Sequence, residues 1–211
     1  SSISYYPWRQ IIRQSMDALD DDTPAEVRHK LDYACECCTL PGGDIPFLEA
    51  MLAVESEESA KVVMGFQGDA LKQRMVDATR GFLCGLAMGS PLVIVFDDLH
   101  WADEASLNLL LNVVDLSASQ PILFICMSRP EPTAASWNVI QKMKEKMAGS
   151  FHAIDLAPLQ VNQTETLLNN LLGVKDLPKF ILDLIVEKAQ GNPFFVEEII
   201  LECRQKHITR V

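Results

Sequence analysis

A short apolar run that ends in two aspartates constrains the fold more than any other feature of the chain. Residues 92–96 read Leu-Val-Ile-Val-Phe, and Asp97 and Asp98 follow directly. An uninterrupted run of this kind indicates a strand buried on both faces, as in a parallel sheet covered by helices. Open α/β sheets bind ligands at the carboxyl ends of their strands. We therefore expect both aspartates at the ligand-binding edge of such a sheet.

Two adjacent carboxylates at that edge suit phosphate chemistry. One can hold a Mg2+ ion with its waters, and the other can orient or polarise a water that attacks a phosphate. The simpler alternative is that the acidic pair ends the strand and caps a turn. His100 and Trp101 follow in the sequence, and packing of the loop explains both without a catalytic role.

The rest of the chain predicts strands and helices in alternation, then helices alone. Further strands are predicted at Ile122–Met127 and Phe151–Leu156, with Cys126 in the core. Apolar spacing, first-turn prolines and capping residues predict helices over roughly residues 7–19, 24–39, 45–54, 69–88, 103–114, 134–147, 162–172, 178–188 and 194–206. Glu55–Glu58 is interpreted as a solvated acidic patch. This order predicts an α/β region followed by a helical region.

Three stretches resemble one family of ATPases. Val93–Asp103, VIVFDDLHWAD, resembles the Walker B strand of a P-loop NTPase. Its extension is similar to the AAA-related signal-transduction ATPases known as STAND proteins, which include maltose-regulon-type activators and cyclase-fused ATPase modules. Pro121–Arg129, PILFICMSR, resembles the next strand, which ends at a polar sensor position. Ala189–Glu198, AQGNPFFVEE, resembles the GxP motif of the helical lid, so the resemblance covers nearly the whole chain.

The resemblance implies a fold and two domains. The fold class is α/β, as part of the parallel sheet of an ASCE P-loop NTPase flanked by helices and followed by an all-helical lid. Residues 1–157 correspond to the C-terminal portion of the ATPase core, and residues 158–211 correspond to the lid with its GxP motif. In that family the strand before Walker A lies between the sensor strand and the final strand. Phe151–Leu156 is therefore expected to have no direct partner in the sheet.

The resemblance also implies ligands and residue roles. The cofactors of the intact parent are expected to be ATP or ADP and Mg2+. Asp97 corresponds to the residue that holds Mg2+, and Asp98 to the residue that positions the attacking water. Arg129, at the end of the sensor strand, is expected to sense the γ-phosphate.

The lid motif has a local explanation as well as a functional one. Gly191, Asn192 and Pro193 can simply end one helix and start the next. The family pattern adds that Pro193 packs near the adenine and sugar and couples the lid to the nucleotide state. The two explanations are compatible.

The phosphate-binding loop of the family is absent from this sequence. No GxxxxGK[ST] occurs in the 211 residues, so the lysine and the backbone cradle for the β- and γ-phosphates are missing. Gly85–Ser90, GLAMGS, has one residue too few between its glycines and no lysine, and we interpret it as a helix end. The family pattern predicts a fragment that begins after the second strand of the core. The parent is then expected to be an ATPase, while this chain alone is expected to bind ATP weakly or not at all.

The composition of the chain limits the kinds of molecule that it is expected to bind. A net charge of −11 argues against direct nucleic-acid contact by this segment, because such binding depends on clustered Lys and Arg. No apolar run approaches the roughly 20 residues of a membrane span, and no signal-peptide pattern is present, so we expect a cytoplasmic location without membrane contact. The expected partners are a nucleotide and other domains of the parent, with assembly into a homo-oligomer left open. The Cys35, Cys37 and Cys38 cluster is better explained by packing than by metal, since no second Cys/His pair follows at zinc spacing.

Three functions remain open at this point. The leading hypothesis is a slowly hydrolysing, nucleotide-dependent signalling switch. The second is a degenerate scaffold that keeps the fold for protein contacts without nucleotide chemistry. The third, a purely helical interaction module, requires Leu92–Phe96 to be helical.

Overall fold

The chain divides into two compact units, Ser1–Phe151 and His152–Val211. The computed structural model describes residues 4–173 and 178–208, with side chains up to residue 202. These described residues are mostly helical and contain one small parallel sheet, which agrees with the predicted α/β class followed by helices. None of the described helices is both long and apolar enough to cross a membrane.

The first unit contains both strands and the longest helix among the described residues. Its helices are α1 (Tyr6–Ser15), α2 (Pro24–Cys37), α3 (Ile45–Leu52), α4 (Glu57–Met64), α5 (Gly68–Gly89), α6 (Glu104–Val113) and α7 (Ala135–Lys146). Its strands are β1 (Leu92–Phe96) and β2 (Ile122–Cys126). The segment that contains Leu92–Phe96 is therefore a strand, and the hypothesis of a purely helical module is wrong.

Local capping signals start several of these helices. At α2, the Thr23 hydroxyl accepts a hydrogen bond from the Glu26 N–H, and the Glu26 carboxylate accepts one from the Thr23 N–H, as the sequence predicts. At α4, the Ser56 hydroxyl accepts from the Ser59 N–H. The acidic residues of that first turn favour the positive end of the helix dipole. The interpretation of Glu55–Glu58 as only a solvated patch therefore missed a helix start.

The sheet is covered on one face only. β1 and β2 pair in parallel along their full lengths. Ile94 and Phe96 are buried, whereas Val93 and Val95, which point to the opposite face, are exposed. The prediction of a strand buried on both faces is therefore wrong for the described residues, because their helices cover only one face of this two-stranded sheet. Cys126 is likewise only partly buried, although burial raises the pKa of its thiol to about 11.

Helix α1 is fastened to the buried face of the sheet and to α6. The side chain of Trp8 is fully buried, and its ring meets the Phe96 ring edge to face at a centroid distance of 5.1 Å. The indole N–H of Trp8 donates to the backbone oxygen of Ser106 over 3.0 Å. A single side chain thereby joins the first helix, the first strand and the helix that follows it.

Helix α5 packs closely against the end of α2. Both glycines of the GLAMGS stretch lie within α5, as the interpretation of a helix end predicts. A Cβ atom on Gly85 would lie 2.4 Å from the Cβ of Cys38, whereas a Cβ on Gly89 would meet nothing within 4 Å. Gly85 therefore permits the close contact between α5 and Cys38. This contact explains the glycine without a phosphate-binding role.

The second unit is helical where it is described. Helices α8 (Val161–Leu172), α9 (Lys179–Ala189) and α10 (Pro193–Ile208) surround a small core that includes Leu168, Ile185 and Val196. The N-cap of α8 is Gln160, two residues before the predicted Asn162.

The predicted third strand does not form. Residues 151–160 have no regular secondary structure, and Ile154 and Leu156 are exposed. A strand is stabilised by pairing with a neighbour, and the described residues provide no strand beside this segment. The apolar alternation of Phe151–Leu156 is therefore not sufficient to form a strand without a neighbour to pair with.

Candidate functional site

The parallel pairing of β1 and β2 brings two of the predicted segments to one edge of the sheet. Phe96 lies opposite Cys126, and the chain continues from these residues into Asp97 and toward Arg129. The ladder extends past the strands, since the Met127 N–H donates to the Phe96 oxygen over 2.8 Å and the Leu99 N–H donates to the Met127 oxygen over 2.8 Å. The structure thus places Asp97, Asp98 and Arg129 beyond the carboxyl ends of neighbouring parallel strands.

Asp98 forms a sharp turn between β1 and the loop that follows. Its backbone lies in the left-handed region, with φ of 51°, and residues Leu99–Trp101 form one 3-10 turn. The Trp101 N–H donates to the Asp98 oxygen over 2.9 Å. Aspartate tolerates the left-handed region better than most residues. The turn directs the backbone away from the strand and leaves the Asp98 carboxyl group 65% exposed.

A cavity of about 540 Å³ lies beside this turn. Its walls are the outer face of α1, including Tyr6, Gln10 and Gln14, and the loop from Asp97 to Asp103. Three aspartates line the cavity, and none of the described residues in its lining is a Lys or an Arg. Such a cavity attracts a cation and repels a bare polyphosphate.

Asp103 connects this loop to the first helix. Its carboxylate accepts hydrogen bonds from the Ser106 N–H over 3.0 Å, from the Ser106 hydroxyl over 2.6 Å and from the Tyr5 N–H over 3.3 Å. Burial by itself would raise the pKa of Asp103, but these hydrogen bonds outweigh burial and hold the pKa below its ordinary value of 3.8. The cap predicted at Asp103 is confirmed, and it also fixes the start of α1.

We expect Asp103→Ala to lower the free energy of unfolding by about 1–2 kcal/mol near neutral pH, the usual cost of a lost N-cap. The pKa of Asp103 is lower in the folded state than its ordinary value of 3.8, which we take for the unfolded state. The charged carboxylate therefore stabilises the fold fully when the pH is above that ordinary value. That stabilisation is lost as the pH falls through the folded-state pKa. Urea unfolding near neutral pH and at about pH 3 should show the gap between wild type and variant closing in acid.

The control for this experiment is Asp21→Ala, which changes an exposed aspartate in the turn between α1 and α2. We expect it to match wild type at both pH values. An Asp103→Ala defect that persists unchanged in acid would show that the hydrogen bonds of the charged carboxylate are not its cause.

His100 is a residue of the site whose environment the sequence did not reveal. Its side chain is only 4% exposed, and neither ring nitrogen has a hydrogen-bond partner among the described residues. A buried polar group left unpaired costs about 1–3 kcal/mol, so packing alone would favour an apolar residue here. Trp101, by contrast, is 78% exposed. The interpretation that both side chains pack the loop agrees with the burial of His100 and its ring contact with Trp101, but it does not explain why both ring nitrogens lack a partner among the described residues.

The GxP residues belong to the second unit and are described within it. Gly191 is buried, with φ of 76°, and a Cβ there would lie 2.6 Å from the Leu159 oxygen. The Asn192 side-chain oxygen accepts from the Phe194 N–H over 3.0 Å, and Pro193 begins α10. The local explanation, a helix stop followed by a helix start, is therefore sufficient for the geometry. Contact of these residues with a nucleotide stays a prediction.

The donor set fits the metal side of a magnesium–nucleotide site. Among the described residues, no group of three or more His, Cys, Asp or Glu side chains is placed to hold a metal ion. Mg2+ commonly takes only one or two protein carboxylates and completes its coordination with waters and substrate phosphates. The exposed carboxylate of Asp97 satisfies that requirement, whereas the described residues that line the cavity provide no basic side chain for phosphates.

Comparison with known families agrees with this geometry. The profile of the AAA ATPase domain matches residues 1–125, more than half of the chain, and the chain belongs to that family. Domains of this family generally use ATP or ADP with Mg2+, and the chain is accordingly an ATPase-like, nucleotide-binding module. The profile of a domain of unknown function, DUF8739, matches residues 160–211. No curated protein and no solved structure gives a significant match.

Proposed function

We propose that the chain is part of a signal-transduction ATPase of the STAND type, which binds ATP with Mg2+, hydrolyses it slowly and acts as a nucleotide-dependent switch. Its phosphate-binding loop is supplied by a segment outside these 211 residues. The observation that carries the proposal is the common edge of β1 and β2, where Asp97, Asp98 and Arg129 follow parallel, hydrogen-bonded strands.

Each residue of this edge has a role that its chemistry supports. Asp97 supplies a hard oxygen ligand for Mg2+, which when bound neutralises charge on the phosphates. Asp98 accepts a hydrogen bond from the attacking water and orients it toward the γ-phosphate. The guanidinium of Arg129 is exposed and can donate to phosphate oxygens as charge develops on them. A cation held by Asp97 would offset the repulsion between these carboxylates and the phosphates of a nucleotide.

The residue type at position 98 supports slow turnover. Many AAA proteins carry glutamate at the second acidic position, and aspartate is shorter by one methylene. A shorter side chain holds the attacking water less well, so the nucleotide-bound state persists. Slow hydrolysis suits a switch, in which the bound nucleotide determines which surfaces are available to partners.

The second unit is proposed to be the lid of this switch. Gly191 holds the start of α10 against the segment at Leu159, because the Leu159 N–H donates to the Gly191 oxygen over 2.7 Å and a side chain on Gly191 would clash there. This rigid connection supports transmission of a change at Pro193 through the three helices.

The alternative is a scaffold that keeps the fold without nucleotide chemistry. It is favoured by the cavity lining, which among the described residues contains no Lys or Arg. A substituted or absent P-loop lysine in the parent protein would support the scaffold.

The test compares three single variants of the parent protein. Asp98→Asn keeps the size of the side chain and its tolerance of the left-handed backbone, and we expect it to lower kcat by about 10²–10⁴-fold. Asp97→Asn should raise the Mg2+ concentration needed for half-maximal activity by about 10–100-fold or more. Loss of a second-shell partner already costs about 10–100-fold in metal affinity, and a direct ligand should cost at least as much. The control, Asp21→Asn, should leave both values unchanged. Phosphate release and Mg2+ titrations measure these effects.

Two results would contradict the proposal. The first is a parent protein whose melting temperature does not respond to ATP and Mg2+. The second is an Asp97→Asn variant that needs no more Mg2+ than wild type.

A further inference from the structure

His100 lies in an environment that its neighbours do not explain. The loop that follows β1 is largely exposed at Asp97, Asp98 and Trp101, yet the His100 side chain is 96% buried. Both ring nitrogens lack a hydrogen-bond partner among the described residues. Its ring contact is the indole of Trp101, at a centroid distance of 5.2 Å and an interplanar angle of 41°. That contact gives neither nitrogen a hydrogen-bond partner.

The Asp98 carboxylate is the acceptor within reach. The Nδ1 atom of His100 lies 3.7 Å from Oδ1 of Asp98. An N–H···O hydrogen bond requires 2.7–3.2 Å, so a shift of roughly 0.5 Å would form it. The Asp98 side chain is 65% exposed and is free to make that shift.

Backbone hydrogen bonds hold the turn around His100, so the Asp98 carboxylate is the group that has to move. The Leu99 N–H is held by the Met127 oxygen, and the Trp101 N–H is held by the Asp98 oxygen. Both bonds fix the turn that carries the His100 ring. The exposed carboxylate is therefore the mobile partner, and the buried imidazole is the fixed one.

We propose that His100 is a positioning residue for Asp98, whose carboxylate it orients through a hydrogen bond from Nδ1–H. A carboxylate on an exposed turn has many orientations, and a buried, fixed donor selects one of them. The bond also determines the tautomer of the ring, with the proton on Nδ1. The contact itself is a property of the 211-residue chain, whereas its consequence for hydrolysis rests on the function proposed above.

The first test observes the contact directly in the chain, without nucleotide. Nitrogen-15 NMR separates the two imidazole nitrogens, and loss of a signal in His100→Asn assigns it among the four histidines. We expect a protonated Nδ1 whose N–H exchanges slowly with water. In Asp98→Gly, which removes the carboxylate and suits the left-handed backbone, that exchange should accelerate by about tenfold or more.

The result that would overturn the proposal is a ring protonated on Nε2 in the wild-type chain. An Nδ1–H exchange rate that is the same in wild type and Asp98→Gly would overturn it equally. Neither result depends on ATP turnover, so the failure of this proposal is distinguishable from the failure of the proposed function.

The second test uses turnover by the parent protein. His100→Leu should lower kcat by about tenfold or more while KM for ATP stays constant, as is typical when an outer-sphere partner is lost. His100→Asn places an amide N–H near the position of Nδ1 and should recover most of the rate. A purely structural role would instead change only the melting temperature and leave kcat near the wild-type value in both variants. Equal rates for the Leu and Asn variants would contradict a positioning role.

Discussion

Replacing Trp8 with alanine is expected to lower the free energy of unfolding of the first unit by about 3–5 kcal/mol. The side chain is fully buried, packs edge to face on Phe96 and donates a hydrogen bond to the Ser106 oxygen. Alanine removes all three contributions and leaves a cavity between α1, β1 and α6. Because small domains are stable by only about 5–15 kcal/mol, the loss is a large fraction of the total. Urea unfolding followed by circular dichroism measures it.

Trp101 provides the matched control, because it is the same residue type with 78% of its surface exposed. We expect Trp101→Ala to change the free energy of unfolding by less than about 0.5 kcal/mol. Trp8→Phe keeps an aromatic ring but loses the N–H donor, so its effect should fall between the two. Equal unfolding midpoints for Trp8→Ala and Trp101→Ala would show that α1 does not pack as described.

The second large effect is expected at Gly85, where alanine should destabilise the fold by about 3 kcal/mol. In an ordinary helix this substitution stabilises by roughly 0.5–1 kcal/mol, because glycine is a poor helix former. Here the added Cβ would lie 2.4 Å from Cys38 Cβ and 2.7 Å from the Cys38 oxygen. Neither atom can rotate away, since one is fixed to the backbone and the other belongs to it. The sign of the effect is therefore reversed.

Gly89→Ala in the same helix is the control that distinguishes the effect of this contact from the effect of helix propensity. A Cβ at Gly89 meets nothing within 4 Å, so we expect no loss of stability. Gly81→Ala should be intermediate, because its near neighbour at 2.7 Å is the end of the flexible Leu40 side chain. Thermal unfolding of the three variants compares them, and a stabilising Gly85→Ala would rule out the close approach of α5 to Cys38.

Features that depend on a few neighbouring residues could be predicted from the sequence. The cap at Asp103 was predictable because its oxygen and the Ser106 N–H lie three residues apart in the chain. β1 was predictable from its apolar run, and the position of Asp97 and Asp98 followed from where that run ends. The start of α4 at Ser56 was equally local, but the acidic residues behind it were interpreted as a solvated patch.

Features that depend on distant parts of the chain could not be predicted. The exposure of Val93 and Val95 depends on which elements cover the sheet. The sequence of the strand itself does not contain this information. Phe151–Leu156 has the alternation of a strand, and only the family pattern, not the alternation itself, predicts that a direct partner is missing. The burial of His100 results from the turn at Asp98 and its bonds to the end of β2, so no spacing pattern reveals it. The roles of Arg129 and of Gly191, Asn192 and Pro193 stay predictions.

Two of the hydrogen bonds that hold α1 in place, from Tyr5 to Asp103 and from Trp8 to Ser106, each join residues 98 positions apart. On the ribosome, α1 therefore emerges long before α6. At about 5–20 residues per second, the delay is roughly 5–20 s. During that interval Trp8 lacks the Phe96 ring and the Ser106 oxygen that it contacts in the folded unit. Helix α1 therefore cannot reach its final packing until α6 has been synthesised.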